Sequence, residues 1–292
     1  VEFLRRTGSA LIGDEPGVGK TAQVISLTQD VPKVLILTMS SLKFQFGDEI
    51  RSWLPEARIT VINGSQAERN ALWATDSQYY IANYELLLRY DWGRMKAIPW
   101  TFIVCDECTR LSNPNNKQYR ALKQIQSQYR VAMTGTAISN APTDAYGIFE
   151  WLYPGIFRNY YAFINKYCIK DYFGSVKGFK NLDHLASVIA PYYIRRTKEQ
   201  VLPELPEKVQ SIIPVELSDK ERKLYDQIRM ALLFDINQSD VNKVKNLTQI
   251  QNGVVKLTRL RQACNSMELL GESTDSSKIE ALKELLTTLE II

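Results

Sequence analysis

The chain has 292 residues, 45% of them hydrophobic and 23% charged, which is enough apolar material to bury a full core and too much for a disordered chain. Lys and Arg total 36 against 32 Asp and Glu, and the net charge of +4 permits a polyanionic partner without identifying one. No apolar run approaches the roughly 18 to 20 residues that cross a bilayer, so a membrane-spanning helix is not expected.

From the start to about residue 150, short apolar runs rich in Val, Ile and aromatics (SALIG, KVLILT, ITVI, QYYIAN, TFIVC, YRVAMT) alternate with helix-like stretches such as TAQVISLTQ and LKFQFGDEIRSWL. That alternation predicts a parallel sheet covered by helices on both faces, a doubly wound α/β domain. In such sheets the working residues lie on loops at the carboxyl ends of the strands.

The first such loop is GDEPGVGKT, residues 13–21, between a short apolar strand and a helix. This is the context a phosphate-binding loop requires: Gly17 and Gly19 let the backbone wrap close to phosphates, Lys20 reaches the β- and γ-phosphates, and the Thr21 hydroxyl takes a magnesium ion. Asp14 stands where the strict GxxxxGK[ST] pattern has its first glycine. The strand TFIVC ends in Asp106-Glu107, where a magnesium-holding Asp belongs in such a fold. Glu107 would then orient and polarise an attacking water. The strand YRVAMT leads into Thr134-Gly135-Thr136, whose hydroxyls could bond the Asp-Glu pair or a bound polymer, or could form a polar turn.

The four cysteines, at 105, 108, 168 and 264, are too sparse for a disulfide framework, which suits a reducing, intracellular setting. Cys105 and Cys108 have CxxC spacing, yet zinc needs two more ligands and the single histidine is His184, so a buried strand thiol and a loop thiol are expected instead.

After about residue 155 helical periodicity takes over, with one extended stretch from Lys208 to Glu216. Ser218 and Glu221 have capping-box spacing and open a helix carrying Leu224, Ile228 and Leu232 on one face. A second helix is expected from Val244 to Cys264 and a last one from Ser277 to Ile292, which ends without a cap and reads as a cut in a longer chain. The expected division is 1–155 for the nucleotide-binding lobe, 156–270 for a helical protrusion, and 271–292 for a linking helix.

Taken in order, GDEPGVGKT, LTMSSLKFQF, ANYELL, DECTRLSNPNNKQYRAL, MTGTAISN and YYIRRTKEQVLPELPEK resemble the Swi/Snf-type branch of superfamily-two helicases, DNA-dependent ATPases. The likeness covers nearly the whole chain, and its RRTKEQVLPELPEK segment is not shared with ordinary DEAD-box proteins. It implies a RecA-like lobe, ATP and Mg2+ as ligands, and double-stranded DNA as the polymer. Asp14, Glu15, Gly17, Val18, Gly19, Lys20 and Thr21 match the first motif and its preceding acidic pair. Asp106 and Glu107 match the second motif, with Cys108 and Thr109 replacing the usual Ala and His, which bears on the coupling of hydrolysis to polymer contact.

The resemblance further places Ser40, Ser41 and Lys43 on the DNA path, with Met39 where a proline is usual, and likens Asn83, Tyr84 and Glu85 to a Thr-Tyr-Glu motif. It adds Thr134, Gly135 and Thr136 to the expected DNA-binding set. Neutral hydroxyls and a lysine can hold sugar-phosphate without reading bases, as a motor stepping along any sequence needs. Arg195, Arg196 and Lys198 form the densest basic cluster, for which a structural or inter-lobe role stands beside DNA contact.

The adenine-recognising glutamine motif of this family is expected upstream of residue 1, and a second RecA-like lobe with its arginine fingers beyond Ile292. The resemblance thus implies the ATP-binding lobe of a motor that translocates on duplex DNA and remodels protein–DNA complexes, inactive or very weak alone. The rivals are a restriction-type or RNA translocase lobe and a nucleotide-dependent binding module. Short insertions between motifs favour a bacterial or viral, cytoplasmic source, or a nuclear location if the source is eukaryotic.

Overall fold

A computed structural model of the chain describes residues 2–136, 141–204, 206, 210–238, 247–271 and 276–288. The chain divides into two compact units, Val1–Pro206 and Glu207–Ile292. No helix among the described residues is long and apolar enough to cross a membrane.

The first unit is built on strands β1 (Ala10–Ile12), β2 (Val34–Thr38), β3 (Ile59–Val61), β4 (Tyr79–Asn83), β5 (Trp100–Cys105) and β6 (Ser127–Met133). An antiparallel hairpin, β7 (Cys168–Lys170) and β8 (Val176–Phe179), stands apart from the sheet, and β9 (Tyr193–Ile194) rejoins it. The seven-stranded sheet has the order β3-β4-β2-β5-β6-β1-β9, with every described pairing parallel. Successive residues of a strand face opposite sides, and here both sides are apolar. Leu35, Leu37, Ile103 and Cys105 join one core, while Val34, Ile36, Phe102 and Val104 join the other. This is the RecA-like α/β architecture expected of the sequence.

Ten helices flank the strands among the described residues of this unit: α1 (Glu2–Thr7), α2 (Lys20–Thr28), α3 (Lys43–Trp53), α4 (Gln66–Trp73), α5 (Asp91–Ala97), α6 (Lys117–Leu122), α7 (Asp144–Leu152), α8 (Tyr160–Tyr167), α9 (Leu182–Ile189) and α10 (Lys198–Val201). Helices α2 and α3 supply Val24, Ile25, Phe46 and Ile50 to the second core, and α7 supplies Ile148, Phe149 and Trp151 to the first.

The register aligns the strand ends: Thr38 lies opposite Asn83, Leu37 opposite Cys105, and Ile12 opposite Met133. Loops following β1, β2, β4, β5 and β6 therefore emerge along one edge of the sheet. A Cβ at Gly147 of α7 would lie 1.9 Å from the Leu111 carbonyl oxygen, so this helix presses backbone to backbone on the segment that follows β5. The sheet also draws a strand from beyond residue 155, because a two-residue strand leaves no periodicity to read.

The second unit holds α11 (Asp219–Gln238), α12 (Leu247–Asn265) and α13 (Ser277–Thr288). Buried Glu221 accepts the backbone N–H of Ser218 at 2.8 Å and that of Ser277 at 3.1 Å, tying together the starts of α11 and α13. The expected helix start at Val244, the beginning of the extended stretch at Lys208 and the helix end at Ile292 lie outside the described residues.

Candidate functional site

The turn between β1 and α2 is held open by two glycines in the left-handed region, Gly17 at φ 87° and Gly19 at φ 82°, the latter being the N-cap of α2. Lys20 opens the helix and folds back across the loop, its ammonium donating to the carbonyl oxygens of Asp14 at 2.9 Å and Glu15 at 3.3 Å. Val18 closes a turn with its N–H on the Glu15 carbonyl at 3.2 Å. Thr21 is half-buried in the first turn, whose free N–H groups make this end attractive to anions.

Asp14 does something the motif does not announce. Its side chain is fully buried and accepts from Gln23 Nε2 at 2.9 Å, from the Arg196 backbone N–H at 2.9 Å and from the Arg196 guanidinium at both carboxylate oxygens. Burial opposes its charge, but these hydrogen bonds and the guanidinium prevail and hold Asp14 below its ordinary value. The Glu15 carboxylate caps the Lys198 N–H at 2.9 Å, and the Glu15 N–H donates to the Arg196 carbonyl at 3.1 Å. Asp14 and Glu15, expected among the nucleotide-binding residues, turn their carboxylates toward the Arg196–Lys198 segment.

The basic cluster of Arg195, Arg196 and Lys198 lies against this loop. Arg195 donates to the Gly13 carbonyl at 3.3 Å and the Gly135 carbonyl at 3.4 Å, and the Lys198 side chain lies over Gly17. Across the loop, a Cβ at Gly135 would meet Pro16 at 3.0 Å.

Asp106 follows β5 and accepts from Thr38 Oγ1 at 2.8 Å. Burial pushes its carboxyl upward and the neighbouring charge of Glu107 adds to this, against the bonds from Thr38 and the Glu107 backbone and the charge of Lys20. Glu107 takes φ 46°, rare for a residue with a side chain, and accepts from Thr134 Oγ1 at 3.1 Å. Glu49 of α3 is also pushed up, first by burial and then by the charge of Asp106. Asp106 and Glu49 thus lie where their negative charge is disfavoured, and carboxylate oxygens so placed suit a hard cation. No group of three or more His, Cys, Asp or Glu able to hold a metal occurs among the described residues. Cys105 and Cys108 are fully buried, and burial pushes both thiols up.

The residues expected on a polymer path divide by depth. Ser40, Ser41 and Thr136 are exposed and Gly135 is half-buried on the loops at the carboxyl edge. Lys43, Asn83, Tyr84 and Thr134 are buried, so the direct polymer contact expected of them is not open to their side chains. Lys43 donates to the Ile62 carbonyl at 2.8 Å and to Asn63 and Asn83 at 3.2 Å, and burial, with the charge of Arg69, pushes its ammonium down. Asn83 donates onward to Glu85 at 2.7 Å, which pairs with Arg110 at 2.8 Å. The Tyr84 hydroxyl donates to the Asp106 carbonyl at 2.7 Å. These side chains join the ends of β2, β4 and β5 under the site. Thr38, Gln23 and Arg196 were absent from the expected set, since neither a strand-end threonine nor partners 173 and 182 residues apart leave a local spacing signal.

The family model of the SNF2-related domain matches residues 3–269. The chain is similar to an uncharacterized ATP-dependent helicase of Mycoplasma genitalium, 29% identical over 280 residues that cover 93% of this chain and 26% of that protein. It is similar to chromodomain-helicase-DNA-binding protein 7 of Homo sapiens, 26% identical over 299 residues covering 94% of this chain and 10% of that one. Among solved structures, the Sulfolobus solfataricus SWI2/SNF2 ATPase core in complex with dsDNA superposes with a TM-score of 0.62 and 25% identity, covering 98% of this chain and 62% of the other. The chain therefore spans about a quarter of the first curated relative's length and a tenth of the second's.

Proposed function

The chain belongs to the SNF2-related domain family, and on that footing we propose that it is the ATP-binding lobe of a motor that hydrolyses ATP while moving on double-stranded DNA. The observation that carries this reading is the convergence of Lys20, Asp106 and Glu107 on one edge of the sheet, Lys20 held by its own loop and the two carboxylates by Thr38 and Thr134 from other strand ends. The loop of Gly17, Val18 and Gly19 would receive the phosphates, with Lys20 as their counter-charge. Thr21 and Asp106 would hold Mg2+, which when bound neutralises phosphate charge. Thr134 fixes the Glu107 carboxylate by a hydrogen bond, so that the carboxylate can accept a proton from, and aim, a water.

Ser40, Ser41, Gly135 and Thr136, exposed or half-exposed on the same edge, are the residues through which a sugar-phosphate backbone would be held. A second RecA-like lobe would supply the arginine fingers, worth roughly 10³ to 10⁵ in rate in related enzymes, so the lobe alone should bind nucleotide with little turnover. The protein would work wherever its cell keeps DNA.

The test is ATP hydrolysis by the full-length parent protein without polymer and with duplex DNA, single-stranded DNA or RNA, beside a Glu107→Gln control. Stimulation by duplex that vanishes in the control supports the motor. Tight ATP binding with turnover indifferent to every polymer overturns it in favour of a nucleotide-dependent binding module.

A further inference from the structure

The hairpin β7–β8 and the helix before it carry an accessory nucleic-acid contact, and we propose that its rigid aromatic tip stacks on bases while the surrounding cations hold phosphates. The assignment shares a polyanionic partner with the motor reading but uses none of its residues.

Charge is the first observation. Residues 158–180 hold Arg158, Lys166, Lys170, Lys177 and Lys180 against the single acid Asp171, a local charge of 5 − 1 = +4. The whole chain carries +4, so the other residues sum to 4 − 4 = 0 and this segment holds the equivalent of the entire excess. All five cations are exposed, and among the described residues only Lys177 lies near a carboxylate, Asp171, at 3.7 Å. Lys170 sits over the Tyr161 ring at 5.3 Å.

The second observation is the tip. Tyr172 is 97% exposed and Phe173 89%, with their rings edge to face 5.6 Å apart. Turns ordinarily carry polar residues at such places. This turn is also braced: Asp171 accepts the N–H groups of Phe173 at 3.0 Å and Ser175 at 2.8 Å, and Gly174 takes φ 84° to close it. At its base the hairpin is anchored by buried Cys168 and by the Lys180 N–H on the Tyr167 carbonyl at 2.9 Å. A braced turn presents the two rings without further ordering, as a stacking platform requires. Tyr160 and Tyr161, exposed on the neighbouring helix, extend the aromatic surface.

Single cations spaced along a segment and interleaved with aromatic faces match a phosphodiester chain with its bases, whose stacking is tolerant of sequence. Binding of labelled single-stranded and duplex oligonucleotides to the full chain, read by fluorescence anisotropy across a salt series, tests it. The Tyr172→Ser/Phe173→Ser variant is expected to melt like the parent, because both rings are exposed, and to bind the single-stranded oligonucleotide, whose bases are free to stack, roughly tenfold more weakly. Lys170→Gln/Lys180→Gln is expected to shallow the single-strand salt slope by about 1.4, two phosphate contacts at ~0.7 each. Parent-like affinity of the aromatic variant, or an unchanged slope in the lysine variant, overturns the assignment, as does a parent that binds neither oligonucleotide. A Ser40→Glu/Ser41→Glu variant separates the two readings: loss there alone leaves the edge path and removes the hairpin, and loss in the hairpin variants alone does the reverse.

Discussion

Arg196→Ala isolates the buried clamp behind the phosphate loop. The substitution removes the guanidinium bonds to both Asp14 oxygens and the 2.7 Å bond to Gln23 Oε1, while the Arg196 backbone N–H and Gln23 Nε2 remain on the carboxylate. Breaking a buried ion pair from one side costs about 3–5 kcal/mol. The guanidinium is 37% exposed and two bonds survive, so about 3 kcal/mol is the expected loss. In a unit of this size that lowers the thermal midpoint by about 6–12 °C.

Thermal melts of the parent, Arg196→Ala, Asp14→Asn and the double variant give the coupling directly, with the double variant expected to be no worse than Arg196→Ala. The pH dependence has a fixed sign. Asp14 is held below its ordinary value of 3.8, so the clamp's stabilisation is complete above 3.8 and is lost as pH falls through the lower folded value. An Arg196→Ala melt within about 1 °C of the parent, or strictly additive variants, would refute the clamp.

Asp106→Asn should raise the midpoint at pH 7 without metal, since burial disfavours the native carboxylate, and the gain should vanish as pH falls and the parent carboxyl protonates; a variant melting below the parent at pH 7 contradicts this. Added Mg2+ with nucleotide should stabilise the parent and not that variant, measured by the same melts. Gly147→Ala drives a methyl to 1.9 Å from the Leu111 carbonyl, so a loss of about 3 kcal/mol or more and weakened nucleotide binding are expected in denaturant titration and fluorescent-nucleotide assays. Lys43→Met leaves the acceptors of Ile62, Asn63 and Asn83 without their donor and should destabilise by about 2–4 kcal/mol, while leaving the slope of duplex binding against salt unchanged, because the ammonium reaches no phosphate.

Strands β1 to β6 were legible because a parallel strand buried on both faces writes a compact apolar run between helical stretches. The edge carrying the candidate site was legible for the same reason: the loop leading to Lys20 and the pair Asp106-Glu107 follow directly on such runs. Depth was not. The motif pattern put Asn83 and Tyr84 at the end of a strand and Lys43 in the segment after another, but nothing in their order distinguishes a hydroxyl or amine facing a groove from one tying neighbouring segments beneath it. The surroundings of Asp14 were not legible for another reason, since they are set by Arg196, 182 positions later in the loop after a two-residue strand. Long-range pairs of this kind become visible only when the sheet order brings β1 beside β9.

Asp14 and Asp106 follow the ends of β1 and β5, two strands on either side of β6, yet their surroundings push them in opposite directions. Asp14 has its cation built in, so its charge is favoured and its bonds are complete. Asp106 is buried beside Glu107, and the bonds from Thr38 and the Glu107 backbone together with the charge of Lys20 do not outweigh that, so its charge remains disfavoured. A carboxylate already satisfied gains nothing from an added ion, whereas one raised by burial and a like charge gains both solvation and neutralisation. The division of labour follows: Asp14 braces the loop before α2, and Asp106 holds a disfavoured charge that an incoming cation would relieve. Exchanging their environments, not merely their residue types, would be required to exchange their roles.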